Sequence, residues 1–401
     1  MSNASLASAP QRAGMARSPI LAMVASRELS GADHTFANNV RFFSMAAIIG
    51  LHSIGSYPAA VHLQVVPAPL FCLEQPLKFG TIAFFLVAGF LFGQRIDSCS
   101  PLEYFERRLR NVFIPWLVWF SLYFTVILGA DLVHGRLANF NFLRLFLTCR
   151  NCLENSAFWF VPNLLFSLAL LLLFRRFLKD FRTGIAFSVG SLFYAANIYG
   201  QWIPVSHTQA LFGFVFYLWL GAWCAWHFPA LEKRLARIPA SAIAVLSLLT
   251  LTFALAESRL LCARGSIDPM NTLRISNQVF SVVMVLGIMK LRHAVWPRFV
   301  DVRKHTFGLY LTHTVCLAVL TSALKRVLQH WGFPPMWRYG AESLLAGLAL
   351  FCLTYLGCLL AVRALLSNPR LRWTVGLPVG GKSLAAKTLS APDRTAAVTV
   401  S

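Results

Sequence analysis

The chain is short of charge, and shortest of acid. Charged residues are 13% of its 401 residues, with 15 Asp and Glu against 36 Lys and Arg. A soluble protein of this length needs a polar surface that so few charges cannot supply. In its place stands a chain that is 57% hydrophobic, with a mean hydropathy of +0.62 and its charges gathered between long apolar runs. An ordinary soluble enzyme is excluded, and an integral membrane protein built of helices is expected. A metal-ligand set is also lacking. The nine cysteines are scattered, and the single C-x-x-C, Cys149 and Cys152, has no nearby His to complete a site. That pair reads as two loop thiols or a disulfide, and no metal is expected. No signal peptide is recognisable, because the apolar run SPILAMVA is short and no cleavage pattern follows it. The formal charge of +21 comes with no basic-aromatic surface motif, so no nucleic-acid partner is expected. Basic loops anchoring helices on the cytoplasmic side explain it instead. No internal repeat is visible.

What is present is a series of apolar runs near 38–57, 76–93, 112–130, 157–174, 183–200, 208–227, 239–257, 272–290, 306–324 and 341–365. Their lengths predict an all-α, polytopic membrane protein of about ten transmembrane helices. Most of the Lys and Arg fall in the N-terminal tail, the even-numbered loops and the C-terminal tail, which puts both termini in the cytoplasm. Residues 1–37 and 367–401, mixed or rich in small polar residues, are expected to be disordered cytoplasmic tails around a membrane domain of residues 38–366. Oligomeric state has no signature in the sequence.

The first run, NNVRFFSMAAIIGLHSIGSY, carries Arg41 and His52. A central arginine costs roughly 2.5–3.5 kcal/mol on insertion scales, so such residues usually face a protein or water-filled interior. The two are separated by a nearly whole number of helical turns and share one face, about 16 Å apart along the axis. They can bracket an elongated ligand, a cation at one end and an imidazole at the other. The blander readings are a structural or snorkelling arginine and a packing histidine.

Four further stretches stand in order: FFLVAGFLFG at 84–93, with two glycines that permit close helix approach; RRLRNVFIPWLVW at 107–119; FWFVPNLL at 158–165; and HTFGLYLTH at 305–313. Together with the Arg41/His52 spacing, they resemble the integral-membrane acyltransferase-3 family, which includes bacterial O-acetyltransferases of envelope and exported glycans. The resemblance covers residues from about 36 to 365. Ala88 departs from it, standing where the family usually has serine. The hydrolase-like domain that follows the membrane region in some members is not in this sequence, so transfer is expected to be completed by this chain or by a partner.

The resemblance implies a membrane O-acyltransferase of the bacterial inner membrane. It would move an acyl group, acetyl first, from cytoplasmic acyl-CoA to a hydroxyl of a glycan or lipid-linked glycan, among membrane lipids and without a permanently bound cofactor. Arg107, Arg108 and Arg110 are candidates for the phosphates of acetyl-CoA, because guanidinium forks suit them, although they also serve as positive-inside anchors. Arg41 is a candidate clamp near the mouth. His52 is the candidate base for the attacking hydroxyl, with a covalent acyl-histidine as the variant. His313 is a candidate for orienting substrate, and Trp159 with Phe160 for stacking on it. Among Glu74, Glu154, Glu257 and Glu342 nothing in the spacing selects a partner for His52 or for the acceptor. The alternative is a transporter or flippase for a lipid-linked sugar or small anion. Against it, no paired Gly/Pro-broken segments occur in corresponding halves.

Overall fold

In lipid a backbone N–H or C=O has no water to bond, so an apolar run that crosses it must satisfy those groups within its own helix. The computed structural model describes residues 31–60, 68–133, 141–331 and 341–378, and among them every regular element is helical. The helices are α1 (Gly31–Ala60), α2 (Ala68–Leu77), α3 (Phe79–Gly93), α4 (Pro101–Arg108), α5 (Ile114–Val133), α6 (Phe142–Glu154) and α7 (Phe160–Leu173). They continue as α8 (Phe181–Gly200), α9 (Val215–Trp226), α10 (Phe228–Arg237), α11 (Ala240–Ala263), α12 (Ile275–Met289), α13 (Val302–Trp331) and α14 (Ala341–Ser367).

Helices lie on all ten apolar runs. Among the described residues, five segments are long and apolar enough to cross a membrane: Pro69–Ser98, Pro101–Val133, Ala240–Ala263, Val302–Val327 and Ser343–Ser367. The number is up to seven if α6 with α7, bent by 80°, and α9 with α10, bent by 87°, each count as one span. Their outer faces are greasy. Leu246, Leu248, Leu249 and Phe253 on α11, and Leu345, Leu353, Leu356 and Leu360 on α14, are all exposed. A water-soluble protein does not present such continuous apolar faces; here lipid is the solvent.

α1 is not one of those five, and its packing gives the reason. It touches α2, α3, α12, α13 and α14, and its polar residues Asn39, Ser44 and Ser53 are fully buried. A helix enclosed by other helices can afford a polar face. Asn39 uses its face to hold a loop, donating from Nδ2 to the carbonyls of Leu291 and His293 at 3.1 and 3.0 Å.

The closest helix contact pairs α3 with α9. A Cβ at Gly89 would overlap the Leu218 carbonyl, one at Gly221 would overlap the Leu86 carbonyl, and one at Gly93 would lie 2.7 Å from the Ala222 oxygen. This is backbone-to-backbone packing of the small-x-x-x-small kind, as the glycines of FFLVAGFLFG suggest.

Two tail boundaries need correction. α1 begins at Gly31, before the expected 38, with Phe36 and Ala37 buried in the core. At the other end, residues that composition assigns to the tail fold back onto the bundle. Arg372–Val375 form a 3-10 turn, Trp119 Nε1 donates to the Thr374 carbonyl at 2.9 Å, and Val375 is buried. Residues 1–30 and 379–401, which hold the rest of the expected tails, lie outside the described residues.

α13 starts on a reciprocal cap. Asp301 Oδ1 accepts from the Lys304 N–H at 3.2 Å, while His305 Nδ1 accepts from the Asp301 N–H at 3.1 Å. Partial burial pushes the Asp301 carboxyl up, but the hydrogen bonds and charge of Lys304 outweigh it and hold the group below its ordinary value. Its contribution is therefore present at neutral pH and lost as pH falls through the folded-state value.

Two stability predictions follow from these contacts. Gly89→Ala and Gly221→Ala should each cost at least about 1–3 kcal/mol by overpacking. Gly129→Ala, in α5 with open space around it, should be neutral or stabilising. Thermal unfolding in detergent separates the two classes. Asp301→Ala should cost about 1 kcal/mol at neutral pH, and the difference from wild type should shrink on acidification.

Candidate active site

The site begins with two imidazoles. His52 on α1 and His313 on α13 meet with ring centroids 5.4 Å apart. His313 is fully buried, and its Nδ1 lies 2.6 Å from the Tyr310 carbonyl oxygen. A carbonyl only accepts, so Nδ1 carries the proton, and the neutral ring presents a lone pair at Nε2. Among the described residues that nitrogen is buried with no hydrogen-bond partner. His52 is half-buried.

Each helix also carries an arginine before its histidine. Arg41 precedes His52 on α1, and Arg303 precedes His313 on α13, and both arginines line one cavity of about 320 Å³. With both pairs adjacent, α1 and α13 run in the same direction. Arg108 joins the cluster. It lines the same cavity, donates to the Tyr104 hydroxyl at 2.8 Å, and lies 5.1 Å from that ring's centroid. Arg41 is half-buried, feels the charges of Arg303 and Arg108, and among the described residues donates to Asn38 Oδ1, at 3.2 Å. Among the described residues none of these three guanidinium groups pairs with a carboxylate. Cations gathered without counter-ions form an anion site.

A wide π-helical turn at Leu109–Phe113 joins α4 to α5. Pro115 has no N–H to return to the Asn111 carbonyl, which frees that oxygen and opens the turn. The freed oxygen faces Gly376, whose φ of +81° suits glycine and whose missing Cβ leaves room for Phe307. Asn111 and Gly376 thereby close the cationic end of the cavity.

Beyond the arginines the wall is apolar. Phe84, Val87, Ala88, Val161, Leu164 and Leu168 form it, with Ile48, four residues before His52 on α1, and Tyr310, three before His313 on α13; the two histidines themselves are not among the lining residues. Ala88 faces the cavity, so this protein has a methyl on that wall. The tyrosine is held by its hydroxyl, which donates to the Ala157 carbonyl at 2.7 Å, and Trp116 Nε1 donates to the next carbonyl, of Phe158, at 2.9 Å. These bonds fix the turn Ala157–Trp159 that starts α7.

The structure sorts the other residues singled out in the sequence. Arg107 and Arg110 are exposed, point away from the cavity lining, and pair with Glu103 at 2.8 Å and Glu106 at 2.6 Å. Trp159 does not line the cavity either. It is buried, stacked on His207 at 4.6 Å and packed against Phe214 at 5.3 Å. Its neighbour Phe160 does line the cavity. Cys149 and Cys152 are free thiols. Arg303 is the residue that sequence reasoning missed. The signal was its position ten residues before His313, close to the Arg41–His52 interval, but in a basic loop it reads as an anchor. A larger cavity, about 660 Å³ between α1, α11 and α12, is almost wholly apolar and holds no comparable chemistry.

A family model for an acyltransferase domain, acyltransferase-3, matches residues 34–363. The chain therefore belongs to that family, with the membrane acyltransferases rather than the transporters its composition also fits. No curated protein and no solved structure matches it.

The burial of Trp159 makes it a core residue in its effect on stability. Trp159→Ala should cost roughly 3–5 kcal/mol, whereas Arg107→Ala and Arg110→Ala should each change stability by no more than about 1 kcal/mol. Thermal unfolding of the three variants checks both statements.

Proposed function

We propose that this membrane acyltransferase takes its acyl group, acetyl first, from acyl-CoA and delivers it to a hydroxyl of an envelope or exported glycan. The observation that supports the reading is one cavity lined by three guanidinium groups, Arg41, Arg108 and Arg303, that have no carboxylate partner among the described residues. Its wall is otherwise largely apolar and includes Ile48 and Tyr310, each about one helical turn before His52 and His313, which themselves lie outside the lining. Coenzyme A has matching parts in matching order. Its phosphates suit the arginines, and its pantetheine arm is a slender chain whose methylenes and gem-dimethyl group can lie on the apolar wall. The thioester then comes to the imidazoles, about 16 Å along α1 from Arg41.

At that end an imidazole nitrogen takes the hydroxyl proton as the oxygen attacks the thioester carbonyl carbon. The carbon–sulfur bond breaks, the proton passes to the departing thiolate, and the products are an O-acyl ester and free CoA. His52 is assigned as the base. The free Nε2 of His313, beside it, binds the attacking hydroxyl or receives its proton in relay. An acyl-histidine intermediate is the covalent variant and uses the same atoms.

The topology proposed with this reaction is ten spans with both termini cytoplasmic, in a bacterial inner membrane. The five clearest spans are then joined by α1, by the shorter α8 and α12, and by the two bent pairs. Arg303, Arg108 and Arg41 would open to the cytoplasm, where acyl-CoA is made, and the imidazoles would lie nearer the opposite leaflet.

The test is acyl-group analysis of envelope and secreted glycans from cells with the gene deleted, restored, or restored as His52→Ala or Arg41→Ala. An ester should vanish on deletion and return only with the unaltered gene. His52→Ala should slow transfer by roughly 10²–10⁴-fold. Ala88→Trp, which fills the middle of the cavity, should also abolish it. Full acylation by His52→Ala at normal protein level would refute the mechanism.

A further inference from the structure

Beyond the imidazoles, on the side away from the arginines, lies a charged pair that the chemistry above leaves unused. Glu74 is on α2, and Lys78 stands at the break between α2 and α3. Glu74 is only 8% exposed. Its carboxylate lies against α1 at Gly55, where a Cβ would be 3.3 Å from Oε1, one turn past His52. Lys78 is half-buried and within electrostatic reach of both Glu74 and His52. An acid and a base four residues apart normally pair, yet these two do not, and among the described residues neither side chain makes a hydrogen bond or ion pair. A carboxylate so enclosed, with no donor among the described residues and only its oxygens' edge open, is placed to accept from a ligand's hydroxyls.

Its position is fixed. The next residue, Gln75, accepts from Arg274 Nη2 at 2.8 Å, and Arg274 is itself fully buried and bonded to the carbonyls of Asn271 and Ala254. α2 is therefore clamped beside Glu74. Other acids on this side of the protein are committed; Asp268, whose charge also acts on Lys78, accepts from Asn271 Nδ2 at 2.9 Å. Glu154 pairs with Arg150 at 2.9 Å. Glu257 accepts from the Tyr199 hydroxyl at 2.5 Å and from the Ser276 N–H at 2.9 Å. The side chain of Glu342 lies outside the described residues.

We infer that Glu74 is the acceptor-positioning residue, binding hydroxyl groups of a polyol or sugar next to the one that is acylated. A carboxylate accepts two hydroxyl hydrogens at once, and Lys78 supplies donors to ring or hydroxyl oxygens. A hydroxyl held there is presented one helical turn from His52. The inference rests on the acyl-transfer reading above and adds the acceptor's side of it.

The experiment uses the full chain in membranes, radiolabelled acetyl-CoA, and as acceptor the glycans of a strain lacking the gene. Glu74→Ala should raise the acceptor KM by roughly 10- to 100-fold, the loss of charge-assisted hydrogen bonds. The isosteric Glu74→Gln should raise it less. The KM for acetyl-CoA and the thermal unfolding temperature of Glu74→Gln should stay at wild-type values. If the wild type transfers label while both variants keep a wild-type acceptor KM, the inference is wrong and the acyl-transfer reading stands. The inference also fails if Glu74→Gln loses stability and both KM values shift together, since Glu74 is then structural. A wild type that transfers no label to these glycans overturns both readings.

Discussion

An ionisable group at membrane depth has to be turned away from lipid, and in this chain that constraint falls on α1. Its buried Asn39, Ser44 and Ser53, with Arg41 and His52, make a polar face that only other helices can cover. α2, α3, α12, α13 and α14 supply the cover. Close approach is part of the solution. Gly80 of α3 sits on the Ser44 carbonyl, where a Cβ would come within 2.9 Å, so the neighbouring helix reaches the backbone of α1. The bundle is in this sense built outward from its least lipid-like helix.

The same constraint explains how charge is distributed along the cavity. α1 and α13 run in one direction, so their arginines gather at one level and their histidines at another. The arginines sit where water can reach them; Arg303 is exposed and Arg41 and Arg108 are half-buried. The cluster can therefore stay cationic without a carboxylate. The imidazoles sit at the other level, and His313 is fully buried there. On the proposed reading, one axis then carries anion binding at its more exposed end and proton transfer at its more buried end. Electrostatic interactions strengthen along it as the dielectric falls.

Much of this was legible in the sequence. The helical period put Arg41 and His52 on one face, and the glycines of FFLVAGFLFG announced a close helix contact, which is the packing of α3 on α9. What was not legible depends on which way a side chain turns. Arg107, Arg108 and Arg110 are equivalent in sequence, but helix phase and the acids four residues earlier, Glu103 and Glu106, draw two of them outward and leave Arg108 for the cavity. Arg303 was hidden because a basic loop before a span is sufficiently explained by membrane orientation. Trp159 looked like a stacking platform at a span end, yet its ring is enclosed by His207 and Phe214. The four acids near the far ends of spans could not be ranked, since only their hydrogen bonds distinguish them. The turn at Arg372–Val375 is tied to α5 by an indole hydrogen bond and packs on α13 and α14, contacts remote in sequence that composition cannot announce.

The glycine contact also bears on the substitution at Ala88. Gly89 and Gly93 must face α9, and this sets the rotation of α3 about its own axis. Residue 88 is one position from Gly89, about 100° around the helix, and that rotation turns it to the cavity with Phe84, Val87 and Leu91. A serine there would back-bond to the carbonyl four residues earlier and still leave its oxygen on the cavity wall. The alanine removes that oxygen without disturbing the helix or the α9 contact. The α3 side of the cavity is then hydrocarbon, so any hydrogen bonds that a ligand's middle needs must come from other walls. Discrimination among such ligands is left to the charged and polar groups at the two ends.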